Sequence, residues 1–299
     1  LTSCSPRVAL PYCVTETKPM KPAISQVCSL PSPFETDLCD YAAGNWQNIE
    51  LWLTKLEIYL ESHSLTTVQE LAQQYNLAFP VASFQGGLLS NPGEARDAAW
   101  QSLASRLELC QDLQIDTLVV ACDIWEQPGE AALQQILDTL KELADQAAQA
   151  QTRIALEFQA EAKLGNNLQT AASLVAQVNH PQLGICLDAF HFYVGPSKTE
   201  DLACLTAENL FHVQLCDLAD CPREFAKDRD RILPGEGDIP LAAILAHLKN
   251  IDYQQHLSIE LLNPQLWQVP ALQFGQASWA ALTNLLQRSS ISSDQPAEE

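Results

Sequence analysis

Leu183-Gly-Ile-Cys-Leu-Asp188 is a six-residue apolar run that ends on a carboxylate. Its length and composition are those of a strand buried on both faces. An Asp at the exit of such a strand is costly unless a partner or a metal takes its charge. Three further runs repeat the pattern: Ile154-Ala-Leu-Glu157, Phe211-His-Val-Gln214 and Leu257-Ser-Ile-Glu260. In a barrel of parallel strands, the C-terminal strand ends converge on one mouth. Two Glu, one Asp and one Gln meeting there make an oxygen-rich, anionic pocket suited to one hard divalent cation.

Working outward, eight apolar runs follow one another near residues 24–30, 47–52, 78–84, 116–122, 153–158, 183–188, 210–216 and 256–261. Helical patterns lie between them, clearest over 66–76, 93–113, 128–149, 168–178, 240–249 and 276–288. In the third of these, Leu133, Ile136, Leu137, Leu140 and Leu143 fall on one helical face. Alternating strands and helices imply an α/β fold with a parallel sheet. Eight such units predict closure into a (β/α)8 TIM barrel, with an open doubly wound sheet as the alternative. No Gly-rich turn supports a dinucleotide site. A barrel takes about 250 residues, so the 299-residue chain is expected to hold one over 23–288. Residues 1–22 are expected to be a flexible extension, with Met20 as the natural start, and 289–299 a disordered polar tail.

Asp and Glu number 37 against 16 Lys and Arg, a formal net charge of −21. Such a surface repels nucleic-acid phosphates and anionic membranes, so neither is an expected partner. No apolar run reaches 18 residues, the length that marks a membrane span. Ten Cys occur without a CxxC pair, and Cys28, Cys122, Cys186 and Cys216 sit in predicted strands. They read as reduced, buried thiols in a cytoplasmic protein.

Glu157 and Glu260 are candidate metal ligands, and either can take a proton from bound substrate. Asp188 is a third ligand candidate. It opens Asp188-Ala-Phe-His191, so His191 reaches the same site and can donate to a ketone oxygen as that oxygen gains charge. Gln214 and His212 share one strand face, and either can point inward at the mouth. Proximity to Asp217 favours Gln214 as the ligand and His212 as the deeper residue. The polar insertion 217–232 carries Arg231, and Leu233-Pro-Gly-Glu-Gly237 turns the chain behind it. That turn places Arg231 over the mouth, where its fork can bind a substrate oxygen or carboxylate. Lys198 is a second substrate-binding candidate. Glu50, an acid at the end of the second strand, is a further candidate to face substrate or to support the site from behind, and Asn166 and Asn167 are candidate helix caps.

These motifs, in this order, resemble the sugar phosphate isomerase/epimerase superfamily, the xylose isomerase-like TIM barrels. The residues that carry the likeness are Glu157, the Asp188-x-x-His191 pair, His-Val-Gln-Leu-Cys-Asp217, Arg231 with Leu-Pro-Gly-Glu-Gly237, and Ile259-Glu260-Leu-Leu-Asn-Pro264. The resemblance runs from about residue 23 to 288. It implies a metal site holding Mn²⁺, Mg²⁺ or Co²⁺, with Glu157, Asp188, Gln214 and Glu260 in the ligand positions and His191 and Arg231 against the substrate. Gln214 stands where ketose epimerases carry His, which is similar to the 3-dehydroshikimate dehydratase branch. Endonuclease IV shares the fold but needs a His-rich trinuclear zinc site, and six His with a charge of −21 argue against it.

Three functions follow. The first is a metal-dependent isomerase or epimerase of a small sugar or polyol, working by proton transfer through a metal-stabilised enediolate. The second is a dehydratase (lyase) of a cyclic hydroxy-ketone such as 3-dehydroshikimate or an inosose. The third is a non-catalytic barrel that binds a ligand or partner. Nothing in the sequence sets the oligomeric state.

Overall fold

The computed structural model describes residues 20–291. The expectations for 1–19 and 292–299 lie outside the described residues. In chain order the elements are β1 (Lys21–Ser25), α1 (Phe34–Ala43), β2 (Asn48–Trp52), α2 (Leu53–Leu60), α3 (Leu65–Tyr75), β3 (Ala78–Gln85), α4 (Glu94–Asp112), β4 (Thr117–Cys122) and α5 (Glu130–Gln149). They continue with β5 (Arg153–Phe158), α6 (Leu168–Val178), β6 (Leu183–Asp188), α7 (Ala189–Val194), β7 (Leu210–Leu215), α8 (Leu241–Asn250), β8 (His256–Ile259) and α9 (Ala271–Ile291). The strands are all parallel and close in sequence order, β1 to β8 and back to β1. The barrel alternative therefore holds, and the open sheet does not.

Local chemistry explains most boundaries. β4 is buried at every position, as a strand covered by helices outside and side chains inside must be. Asn167 caps α6 by accepting the Thr170 N–H at 2.9 Å, and Asn179 ends it in the left-handed region at φ 47°. Asn166 instead accepts from the side-chain amide of Asn167 at 2.8 Å.

Some boundaries differ from the periodicity. The first run was expected over 24–30, but β1 starts at Lys21, inside the expected extension, and ends at Ser25. Gln26–Ser29 then winds into a 3-10 turn that is equally buried, so burial gives no sign of the change. α2 follows β2 without a polar break, and the short α1 and α7 were not anticipated. Leu133 is 41% exposed, because it lies in the first turn of α5, ahead of the fully buried Leu140 and Leu143. α9 continues through 289–291.

Val81, Val119, Ala155, Cys186 and Phe211 form a small apolar cluster. Ala155 and Cys186 share strand faces with Glu157 and Asp188, so this cluster fills the barrel below them. A larger core lies between strands and helices. No helix among the described residues is long and apolar enough to cross a membrane. The described cysteines are all free thiols.

Candidate metal centre

Register sets the mouth. Glu157 on β5 lies level with Cys186 on β6, and Asp188 lies level with Gln214 on β7. The Glu260 N–H donates to the Leu215 carbonyl at 3.0 Å, which extends β8 by one residue and puts its carboxylate on the same rim. Glu157, Asp188 and Glu260 are all buried.

Asp188 does two things at once. Its Oδ1 accepts the Phe190 and His191 N–H groups at 2.6 and 3.1 Å, capping α7, and so swings His191 back over the mouth. Its Oδ2 accepts Arg231 Nη1 at 2.7 Å. His191 Nδ1 accepts the Ala160 N–H at 3.4 Å, and Nε2 lies 4.0 Å from Glu157 Oε1. Glu157, Asp188 and His191 each bring one donor atom within 4.8 Å of the others, close enough for one cation to bridge. Gln159, two residues after Glu157, holds its other oxygen at 2.7 Å.

Arg231 reaches this centre because its loop closes on itself. Asp217 and Ile232 pair back to back through two 2.9 Å hydrogen bonds. Asp217 also accepts from Leu218, Gly235 and Ile239 N–H groups, all at 2.9 Å. A side chain at Gly237 would meet the Leu218 carbonyl at 2.4 Å, so only glycine fits there. Arg231 was expected to face substrate, and it is instead only 1% exposed. It donates to Asp188, to Glu260 Oε2 at 3.1 Å and to Asp228 at 2.7 and 3.0 Å, and it packs 4.5 Å from the Phe190 ring centroid. Three carboxylates take four of its five N–H donors.

Two further candidate residues are placed as follows. Glu50 was expected against substrate. It is fully buried one layer down, with Oε2 on His212 Nε2 and Oε1 on Gln214 Nε2, each at 2.9 Å. Gln214 was expected to turn an oxygen to the cation. Its nitrogen faces Glu50 and, at 2.8 Å, Glu260, while its oxygen accepts the Cys186 thiol at 3.1 Å. His212 is indeed the deeper of the two. Lys198 is exposed in the loop after α7, where its backbone N–H donates to Asp201, and it does not join the cluster. Asp228, Gln159 and Cys186 are the contributors that sequence reading passed over. Asp228 three residues before Arg231 and Gln159 two after Glu157 carried the only available signal.

The electrostatics are lopsided. Burial, and then the nearby Asp188 charge, push Glu157 well above the usual carboxylate range. Burial likewise raises Glu260 well above it, against the pull of Arg231. Burial also opposes ionisation of Asp188, but Arg231 and His191 outweigh it and hold the group down at about 2. Glu50 is lowered too, because His212 overcomes the cost of burial. One guanidinium thus supports Asp188 while Glu157 and Glu260 are left short of positive charge. A donor set of carboxylates and an imidazole with unmet negative charge fits a divalent cation.

Residues 43–282 match the family model of the xylose isomerase-like TIM barrel. An inosose isomerase from Bacillus subtilis is 33% identical over 168 residues, which is 55% of this chain and 60% of that protein. A 3-dehydroshikimate dehydratase from Pseudomonas putida is 26% identical over 78% of this chain but only 36% of its own greater length. A crystal structure of the IolI protein with a bound zinc atom superposes with a TM-score of 0.85 at 26% identity, covering 90% of this chain and 99% of that one. With the closed eight-strand barrel and the acidic rim, these matches make the chain a member of the xylose isomerase-like TIM barrel family.

Proposed function

We propose that this protein is a divalent-metal-dependent isomerase or epimerase of a small polyol, most closely a cyclic keto-polyol of the inosose kind. The observation that carries the reading is the buried cluster of Glu157, Asp188 and His191, with donor atoms within 4.8 Å and too little positive charge around them. Glu157, Asp188, His191 and Glu260 would hold the ion, and the imidazole favours Mn²⁺, Co²⁺ or Zn²⁺ over Mg²⁺. When bound, the cation supplies Lewis-acid polarisation of a ketone and its neighbouring hydroxyl.

The chain's own residues supply the proton chemistry. Glu157 and Glu260 rise from different strands, and burial pushes both carboxyls well above the usual carboxylate range, which makes each a stronger base than a free carboxylate. One, as carboxylate, takes the proton from the carbon beside the ketone, leaving an enediolate. The other, in its acid form, gives its own proton to the former ketone carbon for isomerisation, with the hydroxyl proton moving to the former ketone oxygen. For epimerisation it gives that proton to the opposite face of the original carbon. Solvent then resets the two carboxyls. Asp188 stays ionised and orients both Arg231 and His191.

Dehydration of a cyclic hydroxy-ketone is the second reading. It begins with the same proton abstraction, and the likeness to 3-dehydroshikimate dehydratase favours it. The burial of Arg231 and its engagement by three carboxylates of the chain speak against a substrate carboxylate bound there. The test is metal analysis of wild type and Glu157→Gln, followed by incubation with inososes and ketoses in deuterated solvent. Wild type is expected to carry about one divalent ion per chain and to exchange substrate carbon-bound hydrogen; Glu157→Gln should do neither. A new ultraviolet chromophore would instead establish loss of water. Wild-type protein that neither binds a divalent ion nor exchanges hydrogen overturns the proposal.

A further inference from the structure

A second concave region lies between the loop after β1 and helix α2. It has a volume of about 440 Å³ and is walled by Leu30, Pro33, Phe34, Trp52, Ile58 and Tyr59. None of these residues belongs to β5–β8, whose ends carry the carboxylates of the metal centre. The volume falls in the range of small-molecule sites. Stacked rings stiffen the walls. Phe34 stacks on Tyr59 with centroids 4.7 Å apart, and Trp52 is backed by Phe84 at 5.3 Å. Ile58 is 61% exposed and Phe84 39%, so the fold leaves apolar surface here uncovered.

One charged group lines this apolar pocket. Lys55 is only 9% exposed, and its ammonium donates to Asp37 Oδ2 at 2.6 Å and to the Ser29 carbonyl at 2.9 Å. An ammonium has three N–H donors, so one is left over. Asp37 is better served: Ser29 Oγ donates to its Oδ1 at 2.7 Å, and Gln26 Nε2 joins Lys55 on its Oδ2 at 3.4 Å. A buried ion pair can often give way to apolar side chains without loss of stability, so packing alone does not call for a lysine here. A spare donor in an apolar pocket is a group that a ligand can satisfy, and the low local dielectric strengthens that bond. We propose that this pocket is a second ligand site, for a small aromatic molecule bearing one uncharged oxygen acceptor, such as an aryl ketone, aryl aldehyde or phenol. The rings of Phe34, Trp52 and Tyr59 cover the aromatic part, a contact that gains beyond burial alone. The third N–H of Lys55 takes the oxygen. Asp37 already cancels the charge of Lys55, and the chain carries −21 overall, so a carboxylate finds no net positive partner here.

Three probes separate the parts of this site. Acetophenone carries the ring and the oxygen, toluene the ring alone, and benzoate a charged carboxylate in place of the ketone. Each is titrated into the full chain and followed by amide NMR. Acetophenone is expected to bind saturably with a Kd of about 1 mM or tighter, moving amides of the loop after β1 and of α2. Toluene should bind about tenfold more weakly, the ratio that one hydrogen bond from a charged donor supports. Benzoate should bind more weakly than acetophenone.

Two variants complete the test, with circular dichroism to verify the fold. Lys55→Met keeps the wall and removes the donor, and should bind acetophenone about tenfold more weakly while toluene is unchanged. Ile58→Asp puts a charge at the exposed lip and should weaken both. Should Lys55→Met, which strands Asp37, not fold, the acetophenone-to-toluene ratio in wild type tests the same donor. Equal affinity for those two probes, or a folded Lys55→Met that binds acetophenone as wild type does, overturns the role of Lys55. Tighter binding of benzoate than of acetophenone overturns the uncharged ligand class. Shifts that do not saturate, that map elsewhere or that survive Ile58→Asp unchanged overturn the site itself. The metal-centre reading stands or falls separately from all of these outcomes.

Discussion

The two ends of this barrel are built from the same strands but satisfy their charged groups in different ways. β5 begins at Arg153 and ends near Glu157, and β8 begins at His256 and is followed by Glu260. At the lower end, Arg153 is met by neutral acceptors, Thr117 Oγ1 at 2.9 Å and Gln255 Oε1 at 3.1 Å, and it lies 4.5 Å from the Phe211 ring centroid. Lys21 and His256 face one another across β1 and β8 at the same end, and burial keeps the His256 imidazole neutral. At the upper end Asp188, Glu260 and Asp228 share one guanidinium, and Glu260 and the neighbouring Glu157 are pushed up in pKa. The lower end satisfies itself, whereas the upper end is incomplete without an added cation. That asymmetry matches a division in which one face of a barrel serves stability and the other serves chemistry.

Removing Arg231 should break the comparison most severely. Arg231→Met leaves Asp188, Glu260 and Asp228 facing one another around an apolar side chain. Breaking a buried ion pair by deleting one partner costs about 3–5 kcal/mol, and that loss is expected in urea unfolding of the metal-free variant at neutral pH. The deficit should shrink as pH falls, because the stranded carboxylates become neutral on protonation. Saturating Mn²⁺ should restore part of it, since the ion replaces the missing charge and stabilises the folded state by about 2.7 kcal/mol at one hundred times its Kd. An Arg231→Met variant as stable as wild type without metal would mean that the upper end is not short of positive charge.

The lower end offers a smaller and oppositely directed test. Burial, and then the positive field of His212, Lys21 and Arg153, depress the His256 imidazole from 6.5 to about 3. Between those values the unfolded chain binds a proton that the folded chain refuses. Stability therefore falls as pH drops below the unfolded value, and the loss is complete only at the folded one. From pH 6.5 to 5 this amounts to about 2 kcal/mol at 1.36 kcal/mol per unit. Wild type and His256→Gln, unfolded in urea at pH 7 and pH 5, should differ in slope by about that amount, with the variant flatter. Parallel pH dependences would show that His256 protonates freely in the folded state.

The same contrast decides how much could be read from the sequence. The strands at Leu183–Asp188 and Arg153–Phe158 were legible because a strand covered on both faces must be apolar along its whole length, and the carboxylate at its exit stands out against that background. Family membership followed from the order of such exits. What stayed hidden was direction. Arg231, Glu50 and Gln214 were singled out as candidates, but a residue name does not say whether a fork points to solvent or to three carboxylates, nor which end of an amide faces the rim. Those choices belong to partners distant in the chain, such as Glu50 with His212 and Gln214 with Glu260. The 3-10 turn at Gln26–Ser29 was missed for a related reason, since buried residues look alike whether or not the backbone remains extended.

The smallest effect tests how far the imbalance at the upper end extends. Lys227 pairs with Glu161 and joins the long loop after β7 to the loop after β5, above the buried carboxylates. The two side chains are 52% and 63% exposed, so water and salt screen the pair and holding two long side chains costs entropy. Exposed pairs of this kind contribute about 0–1 kcal/mol. Lys227→Ala should lower stability by no more than that in urea at low ionic strength, and the difference should vanish in 1 M salt, where the Debye length is about 3 Å. A loss approaching that of Arg231→Met would show that the rim loops brace the carboxylate layer cooperatively. The charge imbalance would then belong to the whole upper face, and the contrast with the lower end would rest on loop architecture as much as on the side chains that line the barrel.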